Sequence, residues 1–351
     1  MSELVSPLAP LPTTTDSAVA RTLLNLLSGA AVAQAVSVVA RLGVADALAS
    51  GPLAVDDLAE KLGADAPTLY RLLRGVAEVG LVVEEDGRRF ALAPMGDLLR
   101  CDSGGAVRAF ATMVGMAFHR DAWTGLYDAV RTGELPFARV HGAPLFEYLA
   151  DHPDDGCVFD AAMLVTTVAY GPITEIYDFG RFRNIVDVGG GRGHVLASIL
   201  SAHPASRGVL FDRPEVVADA PPLLASSGVA GRCQVVAGDF FESVPAGGDA
   251  YLLANIVHDW DDTGALRILR SCSRSMSGAA RLILFEGILS DAPGGALSRL
   301  ADLELLVVGP GGRLRSPADY QGLFEQSGFH LDEVVAGGPA AVITARLSDG
   351  S

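Results

Sequence analysis

His258 is the residue of this chain best suited to move a proton. It closes a strand-like apolar run, residues 249–257, and the segment His258-Asp259-Trp260-Asp261-Asp262 leads into a helical run over 265–271. An imidazole with an unperturbed pKa near ~6.5 can accept a proton at neutral pH. A second strand-like run, 281–285, ends at Glu286. A carboxylate there could orient the imidazole and stabilise its protonated form. Each residue also fits a structural role, His258 as a packed histidine and Glu286 as a sheet-edge acid paired with an arginine. Their shared place at strand ends favours chemistry.

A cofactor would have to reach the same edge. Residues 184–193 read N-I-V-D-V-G-G-G-R-G, a short buried strand running into glycines, and an apolar helical run follows over 194–200. A strand that ends in a glycine turn and opens a helix exposes bare backbone, with room for an adenosine-bearing cofactor. Alone, such a turn also fits a plain strand–helix junction, and several nucleotides. Two further strand ends narrow the reading. The run 209–211 leads to Asp212, about 20 residues past the turn, where dinucleotide-type folds place an acid on ribose hydroxyls. The alternative is a helix N-cap ahead of Pro214. The run 233–236 leads to Gly238-Asp239-Phe240-Phe241. That carboxylate and ring could hold an adenine, or form a turn acid beside two core rings.

The elements behind these residues need a large framework. The chain has 351 residues, half of them apolar, enough for two domains or one large and one small. A net charge of −16 argues against a nucleic-acid partner, since phosphate contacts need clustered Lys and Arg. Four scattered cysteines show neither metal-ligand spacing nor a disulfide framework. Residues 1–16 read as a loose tail rather than a signal peptide. No uncharged apolar run reaches the ~18 residues of a membrane span. Together these features point to a cytoplasmic protein without a membrane partner.

The N-terminal third has its own pattern. Residues 18–42 are small and aliphatic almost all the way round, so a helix there needs burial that a small domain cannot supply. A second copy of the chain would cover it, which predicts a homodimer. A short helix ending at Gly63, an amphipathic helix over 66–79 and a hairpin turning at Glu84-Glu85-Asp86-Gly87 make a winged-helix pattern. The acids around Arg71 and Arg74 speak against DNA recognition and for a dimerisation role.

Taken together, V-D-V-G-G-G-R-G, F-D-R-P, G-D-F-F and H-D-W-D-D resemble the motifs of class I S-adenosylmethionine-dependent O-methyltransferases. Their order and spacing are most similar to the plant caffeic-acid-type subgroup and its bacterial natural-product relatives, over residues 20–345. The resemblance implies an α/β fold: a Rossmann-like, seven-stranded, mostly parallel sheet with helices on both faces, plus an N-terminal helical winged-helix dimerisation domain. It divides the chain into 1–105 and 106–351. By position, Gly189 and Gly191 would contact the amino-acid portion of S-adenosylmethionine, Asp212 the ribose, and Asp239 and Phe240 the adenine. His258 would be the base and Glu286 its supporting acid. Met163, Trp260 and Phe159 would line a pocket for a small aromatic acceptor. The resemblance implies release of S-adenosylhomocysteine and no metal.

Two positions depart from the pattern. Ala254 stands where relatives commonly carry Lys, which removes one cofactor contact. Leu314 stands where many carry Glu, which leaves the imidazole with one supporting carboxylate. Such departures keep open C- or N-methylation, and decarboxylation or hydroxylation on the same scaffold. A ligand-sensing DNA-binding regulator is a third reading, opposed by the acidic charge.

Overall fold

The computed structural model describes residues 14–103, 105–289 and 296–348. The chain divides into two compact units between Met116 and Ala117. The division follows the helix Ala106–Gly115, whereas the sequence placed it ahead of that helix. The reason is packing against the helix Gly29–Leu42. Ser37 Oγ donates to the Thr112 carbonyl at 3.1 Å, and a side chain at Gly115 would collide with Ser37.

The first unit opens with helices Thr14–Leu27 and Gly29–Leu42, which meet at Ser28. Helix Val55–Leu62 ends on Gly63 in the left-handed conformation, and Asp65 caps helix Ala66–Ala77 by accepting from the Thr68 amide. Strands β1 (Leu53–Ala54), β2 (Val82–Glu85) and β3 (Arg89–Leu92) form a small antiparallel sheet in the order β1-β3-β2. This is the expected helix–turn–helix and wing. Val39, Leu58, Leu73, Val76 and Phe90 build its core. The first helix contributes nothing to that core: Leu23, Leu24, Leu26 and Leu27 are all exposed, Leu26 to 73%. The expected tail is helical from Thr14 onward, and residues 1–13 lie outside the described residues. By length and composition alone, the helical stretch Ser17–Leu42 is apolar enough to cross a bilayer, with mean hydropathy 1.8.

The second unit is built on β4 (Asn184–Val188), β5 (Arg207–Asp212), β6 (Cys233–Ala237), β7 (Ala250–Ala254), β8 (Arg281–Gly287), β9 (Phe329–Gly337) and β10 (Ala340–Leu347). They pair in the order β6-β5-β4-β7-β8-β10-β9, parallel as far as β8 and antiparallel beyond it. Alternate residues face opposite cores. Val186, Val188, Tyr251, Leu253 and Leu284 pack with helices Asp262–Ser275 and Pro317–Ser327. Ile185, Leu252, Ile283 and Phe285 pack with helix His194–Ala202. The strand order reverses at β4. A parallel sheet opens a crevice beyond its strand ends at such a reversal. The ends of β4, β5, β6, β7 and β8 carry Gly189, Asp212, Asp239, His258 and Glu286 to that one edge.

Candidate active site

β7 stops at Ala254, earlier than the apolar run to Val257 suggests, because Asn255 turns into the left-handed region with φ 56°. That conformation costs a non-glycine residue on the order of 1 kcal/mol. The turn aims two backbone amides at one carboxylate. Glu286 Oε1 accepts from the amides of Ile256 at 3.2 Å and Val257 at 2.8 Å. Residues Val257–Asp259 then coil into a 3₁₀ turn, which delivers His258 beside the same carboxylate. His258 Nδ1 lies 2.5 Å from Glu286 Oε2, and its Nε2 lies 3.5 Å from Asp259 Oδ1.

Burial decides how these charges behave. Glu286 is fully buried and His258 is 9% exposed. Desolvation by itself would push the imidazole pKa down. The adjacent Glu286 and Asp259 carboxylates outweigh it and raise the pKa to about 9, with Arg315 pulling the other way. Burial raises Asp259 to about 6, against the opposing pull of His258. In the free protein at pH 7 the imidazole is therefore mostly protonated.

Arg315 fixes the turn from behind. Its side chain is fully buried, and it donates to the carbonyls of Val257 at 2.9 Å and Trp260 at 2.8 Å. It also pairs with Asp262 at 2.7 Å. The Arg313 amide donates to the His258 carbonyl at 2.9 Å. The carbonyls on either side of His258 are thus held by one planar fork, which leaves the imidazole little freedom to drift.

The glycine turn lies at the adjacent strand end. The amides of Gly189 and Gly190 donate to the Phe211 carbonyl, which ties the turn to β5. Gly189 has φ 73°, and a Cβ on it would press 2.6 Å from Ile256 Cδ1. Gly191 has φ 59° and open space where its side chain would be. The Gly191 amide donates to Asp212 Oδ2 at 2.8 Å, and the Arg213 amide donates to Asp212 Oδ1 at 2.7 Å. Burial raises the Asp212 pKa, against those two amides. Phe240 closes the far side, 3.4 Å from a Cβ built on Gly189. Asp239 is exposed and accepts from the Phe241 amide at 2.7 Å.

Comparison with known proteins decides the family. Residues 123–330 match the model of the O-methyltransferase domain, and residues 24–101 that of the O-methyltransferase dimerisation domain. The chain belongs to the O-methyltransferase family. A phenazine O-methyltransferase of Lysobacter antibioticus is 39% identical over 315 residues, covering 89% of this chain and 92% of that protein. The solved structure of a mitomycin 7-O-methyltransferase superposes with TM-score 0.89 at 35% identity, covering 96% of this chain and 100% of that one. An O-methyltransferase from neocarzinostatin biosynthesis, solved with S-adenosylmethionine and 2-hydroxy-5-methyl naphthoic acid, superposes with TM-score 0.77 at 30% identity, covering 90% and 95%.

This protein is thus an S-adenosylmethionine-dependent methyltransferase. Its residues fit that cofactor. The turn leaves open space at Gly191, an acid stands at the end of β5, and the Phe240 ring borders the turn. Beneath the turn lies Asp187, fully buried. Burial and the neighbouring Asp212 raise its pKa to about 7, against a smaller pull from the Leu196 amide.

The residues expected to line an acceptor pocket form one row. Phe159 meets Phe146 edge-on at 6.2 Å, Phe146 lies 5.7 Å from Trp260, and Trp260 meets Phe240 at 6.1 Å. Met163 joins through the backbone. Its carbonyl accepts from Thr166 Oγ1, and that oxygen accepts from Asn255 Nδ2. Leu314 is buried, as an apolar residue should be. The second carboxylate beside the imidazole comes instead from Asp259, which corrects the expectation of a single supporting acid. Sequence reasoning also passed over Arg315. Its partners are mostly backbone carbonyls, which leave no residue-type signature.

Proposed function

We propose that the enzyme methylates a hydroxyl of a small aromatic secondary metabolite, with His258 as the base. The observation that carries this reading is the buried His258–Glu286 pair at the same sheet edge as the glycine turn. When bound, S-adenosylmethionine supplies an electrophilic sulfonium methyl. Gly189 and Gly191 bring backbone to its amino-acid end, Asp212 accepts from its ribose hydroxyls, and Asp239 and Phe240 take its adenine. The aromatic row Phe159, Trp260 and Phe240, with Met163, seats an aromatic acceptor. Nδ1 faces Glu286, so Nε2 is the nitrogen that takes the acceptor's proton. An unperturbed phenol has a pKa near ~10 by analogy with Tyr, so removing that proton at neutral pH needs help. Glu286 stabilises the resulting imidazolium, and Arg315 keeps the imidazole from leaving the carboxylate.

The dimerisation-domain match supports a homodimer covered by the exposed leucines of helix Thr14–Leu27. Such a partner also accounts for the apolar character of Ser17–Leu42.

The test is calorimetric titration with S-adenosylmethionine and S-adenosylhomocysteine, followed by turnover of phenolic acceptors. The reading expects micromolar binding at one site per chain and a product heavier by one methylene, with NMR placing the methyl on oxygen. Loss of carbon dioxide, gain of oxygen, or a methyl on nitrogen or carbon would replace it with another chemistry on the same scaffold. Absence of binding to either nucleoside would defeat the reading that this glycine turn seats the cofactor.

A further inference from the structure

The chain holds a second buried histidine–carboxylate pair, one that the chemistry at the sheet edge does not use. His119 lies on helix Ala117–Ala122 and is 3% exposed. Its Nε2 stands 2.5 Å from Glu304 Oε1, on helix Ala296–Val308. A carboxylate oxygen accepts, so Nε2 carries the proton of that bond. The other ring nitrogen, Nδ1, is buried and has no hydrogen-bond partner among the described residues. A buried nitrogen left bare costs free energy that an apolar side chain would not. Two apolar side chains would join these helices without that cost, so packing alone does not account for the pair. The Glu304 side chain keeps 30% of its surface accessible, so the pair borders open space and is not sealed in a core.

The pair stands beside the reacting edge. Helices Ala117–Ala122 and Ala296–Val308 both pack on helix Pro136–His141. Leu135, just ahead of that helix, borders Gly311 together with Asp261, and the next residue, Gly312, fits against the His258 carbonyl with no room for a side chain. Asp302, on the helix of Glu304, accepts from the Leu314 amide at 2.8 Å, between the two arginines that hold the His258 turn. On the other side, Phe118 stacks on Tyr148 at 6.3 Å. The helix of Tyr148, Leu145–Asp151, also carries Phe146 of the aromatic row. His119 and Glu304 are thus framed by the segment behind the imidazole of His258 and by the helix that presents the row.

We infer that His119 is a specificity residue of the acceptor pocket, whose bare Nδ1 accepts a hydrogen bond from a second hydroxyl of the aromatic acceptor, apart from the one that is methylated. Glu304 sets the tautomer. By engaging the Nε2 proton it leaves the lone pair on Nδ1. The preferred substrate class is therefore a ring with two or more hydroxyls. Aromatic acids are disfavoured, because an ionised carboxylate has no proton for Nδ1 and would lie beside the Glu304 charge. The assignment rests on the reading of His258 as base for an aromatic hydroxyl, and it goes further by naming what else the ring carries. A site built to pair with a hydroxyl discriminates strongly against a ring that lacks it, since its own polar atom is then left bare.

The test is a ratio between acceptors. Naphthol carries one hydroxyl, the dihydroxynaphthalene isomers carry two, and the hydroxynaphthoic acids carry a carboxylate in place of the second. The wild type should use the best dihydroxynaphthalene about tenfold better than naphthol by kcat/KM, chiefly through KM, and should use every hydroxynaphthoic acid less well than that isomer. Two variants then separate recognition from scaffolding. His119→Asn sets an amide near the place of Nδ1, whereas His119→Gln sets one near the place of Nε2, against Glu304. Both lose the ring and gain an amide, so the difference between them is read and not their absolute rates. His119→Asn should keep part of the preference, and His119→Gln should bring the two acceptors to within about twofold of each other. A residue that only ties two helices together gives the reverse order, because Gln keeps the Glu304 contact. That order, or equal ratios in the two variants, overturns the assignment. A wild type that methylates naphthol as well as every dihydroxynaphthalene also overturns it, while the reading of His258 stands. Failure of the wild type to methylate any of these rings defeats both together.

Discussion

The sheet edge has two halves that solve different problems by different means. The half formed by β4, β5 and β6 presents backbone, open space and partly exposed acids such as Asp212 and Asp239. The half formed by β7 and β8 buries a coupled charge cluster, in which His258, Glu286 and Arg315 are almost wholly removed from solvent. A cofactor that must enter and leave is served by shape and by groups already near water. A group that holds a proton above its ordinary pKa is served by a low-dielectric setting, where each neighbouring charge counts for more. The first half should therefore govern affinity and the second rate.

The sharpest way to break this contrast is His258→Ala. Turnover should fall by roughly 10²–10⁴-fold, the usual contribution of a positioned base. The affinity for S-adenosylhomocysteine should stay within twofold. A comparable loss of nucleoside binding in calorimetry would show that the two halves are one coupled site.

Glu286→Gln comes next. The amide oxygen can still accept from Ile256 and Val257, but the charge that holds the imidazole proton is gone. In the wild type, kcat/KM should rise about tenfold per pH unit from 7 and level off near pH 9. In the variant the plateau should begin more than a unit lower, and the plateau rate should drop roughly a hundredfold as the imidazolium loses support. The same proton links to stability. The folded pKa of about 9 lies above the unfolded ~6.5, so its contribution is fully present below pH 6.5 and is lost as pH rises through 9. Denaturant titrations of wild type and His258→Gln at pH 6 and pH 10 should differ by less at the higher pH. An unmoved pH profile in Glu286→Gln would remove the carboxylate from the account.

Arg315→Met removes the fork while keeping the bulk. The carbonyls of Val257 and Trp260 are then left bare, at about 1–3 kcal/mol each, so the melting temperature should fall. Turnover should fall tens-fold with little change in KM for either substrate, because the imidazole is mispositioned while the binding surfaces persist. A variant that lost stability alone, with kcat and pH profile intact, would reduce Arg315 to scaffolding.

The smallest effect belongs to the other half. Asp212→Asn should raise the dissociation constant for S-adenosylhomocysteine roughly tenfold, the scale of one charge-assisted hydrogen bond. At saturating cofactor, kcat should be unchanged. A fall in kcat there would show that cofactor placement, and not affinity alone, depends on this acid.

Residue types and spacing determined much of this protein. The strand–glycine–helix pattern located β4, the acid at the end of β5 followed from spacing and that after β6 from its place at a strand end, and the seven-stranded fold class followed from the family resemblance those motifs carry. These features are local, because a tight turn demands glycine and a half-buried strand demands its apolar residues wherever the chain goes next. Tertiary structure alone decided the rest. It turned Asn255 so that β7 ends early, brought Asp259 to the second imidazole nitrogen, seated Arg315 behind the turn from far along the chain, and brought Glu304 to His119. The seat of Arg315, like the hold of Glu286 on the turn, depends on which backbone groups and charges converge from distant segments. Convergence leaves no trace in spacing, because a carbonyl oxygen looks the same at every position until the fold buries it.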